Sequence, residues 1–309
     1  MENISNKVNI KAIGVGGMGI NFVNYILENE ANNVEYLSID TDVEAHNGCK
    51  AERKVFLDTG VKNCTWTQAE EAALKCYDQF EELLKGTDIL FIISGMGGST
   101  GSGIAPAIVE IAKKMKIFTI SIIAKPFYSE GFEKLKIASM GVEKIRKNTN
   151  SLIIVPNEKL YNHIDKKLSL QEAYDEANFL IKEGIESIIN TVTKVGFMNL
   201  DLRDIKVVLE NSKDIVIRLG ESYGENAENS IVEQLLQNNL FEGQLEDSKK
   251  ILLNITGGND ISLVVIKNII SNILSYVKDQ NATLIWGVII NPEFDAKKNS
   301  LKVVLMASV

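Results

Sequence analysis

Glycines and small hydroxyl side chains are concentrated between residues 95 and 103. Gly95, Gly97, Gly98, Gly101 and Gly103 alternate there with Ser99, Thr100 and Ser102. Glycine lets backbone N–H groups approach a ligand closely, and hydroxyls add hydrogen bonds, which is the chemistry of a phosphate cradle. The segment lacks the lysine of GxxxxGK[ST], so we expect backbone and hydroxyl groups, not a P-loop, to bind the phosphate.

The elements on either side of this segment would position such a cradle. The apolar run Ile89–Ser94 predicts a buried parallel strand, and a helical pattern covers Ile104–Lys114. A glycine-rich loop between a strand and a helix places phosphate at the positive end of the helix.

A second glycine segment satisfies GxGxxG at Gly14–Gly19, after a predicted strand at Val8–Gly14. Asp40 follows the next predicted strand, Val34–Ile39, where an NAD-binding domain has its ribose-binding acid. An NAD-dependent enzyme is therefore one interpretation. A second glycine loop, and the absence of an obvious hydride-transfer acid, make it the more remote alternative. Two glycine loops at neighbouring strand ends fit one nucleotide with several phosphates better.

Predicted strands and helices alternate through the first half of the chain. This indicates an α/β fold with a Rossmann-like parallel sheet, whose ligands bind at the carboxyl ends of the strands. A Thr67–Glu70 capping box would start one helix there, which Gly86 would end. A second capping box, Ser169–Glu172, would start one long helix. We expect a binding domain over 1–169, a central helix over 170–196 and a smaller α+β domain over 197–309.

Composition excludes several classes of function. A formal net charge of −8 disfavours a general nucleic-acid-binding surface. No apolar run reaches the length of a membrane span, and the first residues lack the apolar core of a signal peptide, so we expect a cytoplasmic protein without membrane insertion. Three cysteines without CxxC spacing and two distant histidines argue against a disulfide scaffold, a metal cluster and a Ser-His-Asp triad.

Taken together, the motifs resemble those of the tubulin/FtsZ family of GTPases over nearly the whole chain. The matching segments are GVGGMGIN (14–21), SIDTD (38–42), GMGGSTGSG (95–103), KPFYSEG (125–131), VPNEKL (155–160) and GFMNLDLRD (196–204). Their order and spacing make the resemblance more specific than any single motif.

The resemblance implies a site for GTP or GDP, with Mg²⁺ bound to the nucleotide. Glu130 would bind ribose hydroxyls beside Lys134, Tyr174 would stack on the base, and Asn157 and Asn178 would bind guanine edges. The remaining implied contacts are Gly16, Gly17, Met18, Gly19, Ile20, Asn21, Gly97, Gly98, Ser99, Thr100 and Gly101.

The resemblance also implies a catalytic loop formed by Asn199, Asp201 and Asp204. In the family this loop reaches the nucleotide of the next subunit, so hydrolysis would require head-to-tail association into filaments. Helix capping by Asp201 and Asp204 is the alternative role. The implied function is a polymerising GTPase of bacterial cell division that binds itself and, through other contacts, division or membrane-tether proteins. A structural or regulatory paralogue with weak GTPase activity is the alternative function.

Two departures from the family pattern motivate that alternative. Ser99 stands where the family has glycine, so we expect a strained or reshaped loop. The segment after Gly60 lacks the glycine-rich stretch that covers the terminal phosphate. The sequence ends at Val309, directly after the last predicted strand, which leaves open both a truncated chain and a paralogue with other partners.

Overall fold

The computed structural model describes residues 8–29, 34–163, 169–193, 198, 200–210, 212 and 214–309. The chain forms two compact units, Met1–Asn162 and His163–Val309. Within the described residues, no helix is both long and apolar enough to cross a membrane.

The first unit is a six-stranded parallel sheet with helices on its faces. Its elements are β1 (Ile10–Val15), α1 (Gly16–Glu28), β2 (Glu35–Asp40), α2 (Val43–Gly48), β3 (Arg53–Phe56), α3 (Trp66–Lys75), α4 (Tyr77–Leu84), β4 (Ile89–Gly95), α5 (Ser99–Lys114), β5 (Phe118–Lys125), α6 (Phe132–Arg146), β6 (Ser151–Pro156) and α7 (Asn157–His163). The predicted parallel α/β architecture is confirmed. The central strands read as continuous apolar runs because both of their faces are buried.

The strand order β3-β2-β1-β4-β5-β6 reverses direction between β1 and β4. Parallel sheets bind ligands in the crevice outside the carboxyl ends of their strands at such a reversal. Val15 and Ser94 pair in register at this point, and the Ser94 hydroxyl donates to the Val15 carbonyl oxygen over 2.9 Å. The ends of the two central strands are thereby held together.

Both glycine-rich helices begin earlier than the sequence predicts. Helix α1 starts at Gly16 instead of Ile20, and α5 starts at Ser99 instead of Ile104. The predicted loop strain at Ser99 is therefore wrong, because Ser99 is the first residue of a helix and its φ is not positive. Gly19, Gly101 and Gly103 inside these helices serve close packing, which a sequence pattern does not distinguish from a loop.

Helix α3 is capped two residues earlier than predicted. Thr65 and Gln68 form the capping box. Helix α3 ends at Lys75, and Cys76 separates it from α4. The Thr67–Glu70 box is therefore wrong. The Glu70 carboxylate instead pairs with the Lys144 ammonium of α6 over 2.5 Å, which ties two neighbouring helices together.

The second unit contains a four-stranded mixed sheet in the order β7-β10-β8-β9. Its elements are α8 (Leu170–Thr193), α9 (Leu202–Leu209), β7 (Ile215–Ser222), α10 (Ala227–Gln237), β8 (Lys250–Gly257), α11 (Leu263–Tyr276), β9 (Thr283–Ile290) and β10 (Leu301–Ser308). The predicted smaller α+β region is confirmed.

Helix α8 is the predicted long helix, and its predicted capping box is present: Ser169 and Glu172 exchange hydrogen bonds. Gly184, unfavourable inside a helix, lies where any Cβ would be 2.5 Å from the Ile217 Cδ1 of β7. The buried carboxylate of Glu183 pairs with the Lys302 ammonium of β10. Close packing and an ion pair therefore fix α8 on the sheet of the second unit.

Gly103 provides a test of the close packing between α3 and α5. A Cβ at Gly103 would overlap the Trp66 carbonyl oxygen and lie 2.8 Å from the Ala69 Cβ, so the helices would have to separate. We expect Gly103→Ala to lower the free energy of unfolding by about 1–3 kcal/mol, measured by urea denaturation. Gly48→Ala is the matched control, since Gly48 is helical and open space surrounds its Cβ position. Equal stability of the two variants would contradict the packing role.

Candidate nucleotide-binding site

The N-termini of α1 and α5 lie side by side where the sheet reverses direction. Gly16, the first residue of α1, has φ +74, and a Cβ on it would lie 3.4 Å from both the Gly101 nitrogen and the Thr100 Cβ. Glycine adopts this positive φ readily, whereas other residues rarely do, so the conformation of the chain at the start of α1 favours glycine. Two helix N-termini with unsatisfied N–H groups form a strong anion-binding arrangement.

The predicted phosphate-contacting glycines divide into two groups by their surroundings. Gly17 and Gly98 have no atom within 4 Å of their Cβ positions, so the space beside them is open to a ligand. Gly19 and Gly101 are closed in, because a Cβ there would overlap the carbonyl oxygens of Ile93 and Gly95 respectively. The structure therefore gives Gly19 and Gly101 a packing role in addition to any contact with phosphate.

The turn between β4 and α5 is short and internally bonded. Gly97 has φ +101, and its N–H donates to the Ser102 hydroxyl over 2.9 Å. A Cβ on Gly97 would lie 3.1 Å from the Lys134 carbonyl oxygen, which brings this turn against the first turns of α6. The predicted Gly97 and Lys134 segments are thus neighbours in space.

A hydrogen-bonded chain connects the end of β2 to the first turn of α5. The Thr100 hydroxyl donates to Asp40 Oδ1 over 3.1 Å and lies 2.7 Å from the Thr41 hydroxyl. The same Asp40 oxygen accepts from the backbone N–H groups of Thr41 (2.7 Å) and Asp42 (3.0 Å). The Cys64 thiol, 3.7 Å from the Thr41 hydroxyl, extends the chain to the segment before α3. Sequence reasoning missed this network.

The Asp40 carboxyl at the end of β2 is buried, and only one of its two oxygens accepts hydrogen bonds from the described residues. It is 2% exposed, and its Oδ2 accepts no hydrogen bond from any residue that the structure describes. Burial raises the pKa of Asp40, against the opposing effect of hydrogen bonds from Asp42, Thr41 and Thr100. Its burial also removes the solvent-facing carboxylate that the NAD interpretation requires.

The remaining predicted residues of α1 differ in exposure. Met18 is half-buried, and its Cβ lies 3.0 Å from the Cβ position of Gly95, so its side chain is beside the end of β4. Ile20 is buried in the core, whereas Asn21 is exposed. Helical geometry therefore turns Met18 and Ile20 toward protein and leaves Asn21 at the surface.

Glu130 and Lys134 form an ion pair at the β5–α6 turn, with 3.0 Å between the ammonium and Glu130 Oε2. Glu130 Oε1 accepts from the Phe127 N–H over 2.8 Å. Asn157 begins α7 at the end of β6, and the adjacent Glu158 carboxylate accepts from the Tyr128 N–H over 2.6 Å. The predicted ribose and base segments are thus joined at one edge of the sheet.

The other predicted residues belong to the second unit. Tyr174 and Asn178 lie one turn apart on α8 and are both half-buried. Asp201 and Asp204 cap α9 reciprocally: Asp201 Oδ1 accepts from the Arg203 and Asp204 N–H groups, and Asp204 Oδ2 accepts from the Asp201 N–H over 2.8 Å. The predicted Asn199 lies outside the described residues.

The first unit fits a polyphosphate. The backbone N–H groups of the paired helix N-termini offer donors without a lysine, and the space beside Gly17 and Gly98 is open to a ligand. A divalent cation carried by the nucleotide would offset phosphate charge there, bound by phosphate oxygens.

Solved structures share this fold over almost the whole chain. An empty FtsZ dimer from M. jannaschii is 27% identical, with a TM-score of 0.85 and coverage of 98% of this chain and 88% of that one. A mutant of the same FtsZ is 28% identical, with a TM-score of 0.85 and coverage of 98% and 92%. CetZ2 from Haloferax volcanii, in a GTPγS-bound protofilament, is 14% identical with a TM-score of 0.82 and coverage of 97% and 92%, a similarity of fold alone.

Two family models match the sequence itself. The model of the tubulin/FtsZ family GTPase domain matches residues 9–165, and that of the FtsZ family C-terminal domain matches residues 214–308. The first match spans half of the chain and includes both glycine-rich helix N-termini. The chain therefore belongs to the tubulin/FtsZ family.

Proposed function

We propose that this protein binds and hydrolyses GTP and polymerises head to tail into cytoplasmic filaments that serve bacterial cell division. The observation that carries the proposal is the paired N-termini of α1 and α5, where a Cβ on Gly16 would lie 3.4 Å from the Gly101 nitrogen. That arrangement suits a nucleotide with several phosphates. Family membership and the solved FtsZ dimer support self-association.

The proposed roles separate binding from hydrolysis. Binding groups are the N-terminal turns of α1 and α5 and the Glu130–Lys134 pair, with Asn157, Tyr174 and Asn178 selecting guanine. Hydrolysis requires Asp201 and Asp204 of the adjacent subunit to orient water for in-line attack. A contact of this kind is heterologous, does not close on itself and extends into a filament.

Capping and catalysis by Asp204 are compatible because a carboxylate has two oxygens. Asp204 Oδ2 accepts from the Asp201 N–H, while Oδ1 has no hydrogen-bond partner in the described part of the chain. The side chain is half-buried, so water can reach it. The capping bond fixes the orientation of the carboxylate and leaves one oxygen for a water molecule.

Asp204→Asn tests the catalytic role separately from the capping role. The amide oxygen can still accept from the Asp201 N–H, so we expect an unchanged urea midpoint, whereas single-turnover GTP hydrolysis should fall at least about a hundredfold. Asp204→Ala is the companion variant, which loses the cap as well and should be less stable by about 1 kcal/mol. Hydrolysis by Asp204→Asn at the rate of the unmodified protein would remove Asp204 from the mechanism.

Protein concentration tests the shared site. If two subunits complete one site, the GTPase rate per subunit should rise steeply with concentration and level off where filaments appear by electron microscopy. A rate per subunit that stays constant from dilute to concentrated protein would reject the shared site. GTP binding and filaments without hydrolysis would instead favour the structural or regulatory alternative, for which the missing glycine-rich cover after Gly60 is the motivating observation.

Nucleotide extracted from the purified protein distinguishes a guanine-nucleotide protein from an NAD enzyme. We expect chromatography of the extract to give GDP or GTP, because the cradle provides donors for several phosphates. Recovery of NAD without guanine nucleotide would reverse that assignment.

A further inference from the structure

Two aromatic side chains of the first unit project into solvent between β5 and α6. Tyr128 is 73% exposed and Phe132 is 77% exposed, which makes them the most exposed large hydrophobic side chains among the residues that the structure describes. Aromatic side chains dominate the energetics of protein–protein contacts when a partner covers them. This pair is therefore the strongest candidate for an interaction surface on the first unit.

The backbone that carries the pair is fixed by hydrogen bonds. Tyr128 begins a single 3₁₀ turn, and Phe132 is the first residue of α6; we call residues 128–132 the aromatic turn. The Tyr128 N–H donates to the Glu158 carboxylate over 2.6 Å, and the Gly131 N–H donates to the Tyr128 carbonyl oxygen over 3.3 Å. Because the turn is ordered before any partner arrives, binding loses little backbone entropy there.

The aromatic turn also contains a residue of the proposed nucleotide site. Glu130, which would bind the ribose, lies between Tyr128 and Phe132 and pairs with the Lys134 ammonium over 3.0 Å. In the proposed function, the next subunit approaches this nucleotide with Asp204 at the start of its α9. A subunit that reaches the nucleotide in this way also approaches the aromatic turn.

Helix α9 exposes two side chains beside its proposed catalytic acid. Val207, one turn after Asp204, is 48% exposed, and the side chain of Arg203 is 93% exposed. Arg203 and Val207 are four residues apart, so they lie on one face of the helix. Val207 offers apolar contact to an aromatic ring, and the Arg203 guanidinium can stack on one. The exposed ion pair of Arg203 with Asp201, at 3.5 Å, holds the guanidinium only weakly.

We propose that the aromatic turn of one subunit packs on Arg203 and Val207 of the next, so that Tyr128 and Phe132 anchor the head-to-tail contact. This inference rests on the proposed function and adds the residues that hold the two subunits together. One turn of a helix spans about 5.4 Å. A subunit that places Asp204 at the terminal phosphate therefore has Val207 within reach of the turn that holds the ribose.

A second copy of this chain is the occupant because a single approach satisfies both surfaces. The aromatic turn surrounds the proposed ribose contact, and the exposed face of α9 adjoins the proposed catalytic acid, so the contact and the completed reaction site form together. A different protein on the aromatic turn would occupy the surface beside the nucleotide and exclude the acids of the next subunit. The contact is heterologous, because the two surfaces belong to different parts of the chain.

Phe132→Ser tests the aromatic anchor. Truncation of an anchor residue weakens a contact strongly, so we expect the protein concentration required for filament assembly in GTP to rise at least about tenfold, measured by sedimentation. The affinity for GDP should stay within about twofold, because Phe132 belongs to the contact and not to the nucleotide site. Met140→Ser is the matched control: Met140 lies on the same helix, is also exposed and is about two turns away, so assembly should be unchanged.

Paired cysteines test which two surfaces meet. A chain with Phe132→Cys and Val207→Cys should give a ladder of covalent oligomers when a short bis-maleimide is added in GTP, since every contact joins one cysteine of each kind. A chain with Met140→Cys and Val207→Cys is the control and should give no ladder. The native thiols are the same in both chains, and those of Cys49 and Cys64 are buried.

The outcomes separate this inference from the proposed function. Unchanged assembly of Phe132→Ser would overturn the inference, and so would the absence of a ladder from the Phe132→Cys, Val207→Cys chain where electron microscopy shows filaments. Loss of GDP binding by Phe132→Ser would also overturn it, because Phe132 would then belong to the nucleotide site. Each of these results leaves the proposed function intact. Unmodified protein that binds no guanine nucleotide, or forms no filaments with it, would overturn the proposed function, and the inference with it.

Discussion

The approach of two helix N-termini at the reversal of the sheet is the constraint on which the first unit depends. Gly16 begins α1 with a positive φ, Gly101 must lack a side chain for α5 to lie against the end of β4, and Gly19 must lack one for α1 to lie against β4. The close packing of both helices on β4 also brings their unsatisfied N–H groups to the same end of the sheet. The glycines that allow this packing therefore also determine where the N–H groups of the two helix ends meet.

The position of these glycines explains where prediction from sequence succeeded and where it did not. The strands were predictable because continuous apolar runs have few other interpretations; β9 has the predicted bounds of Thr283–Ile290. The starts of α1 and α5 were misplaced because glycine disfavours a helix by propensity but is required where another backbone passes within contact. Helix propensity depends on residues that are near in sequence. The carbonyl oxygens of Ile93 and Gly95, which exclude a Cβ at Gly19 and Gly101, belong instead to β4.

Asp40 shows the same limit for a buried polar side chain. Its spacing after GxGxxG suggests an acid that faces a ribose, yet its burial and three accepted hydrogen bonds turn it toward α5. The sequence specifies that a carboxyl ends β2, but which partners surround it depends on where β2 stands in the sheet and where α5 begins. The partners most relevant to its chemistry, Thr41 and Thr100, are separated by 59 residues and become neighbours only in the fold.

The capping box at α9 illustrates why a structural and a catalytic role need not compete. A capping carboxylate uses one oxygen to satisfy backbone N–H groups, and this bond removes the rotational freedom that a free aspartate would have to lose on orienting water. Exposed acids without such a bond would be less suited to the task. The reciprocal hydrogen bonds of Asp201 and Asp204 thus support the proposed catalytic role rather than replacing it, since they hold two carboxylates rigidly at the start of one helix. Charge, not capping capacity, is then the property that distinguishes aspartate from asparagine at position 204.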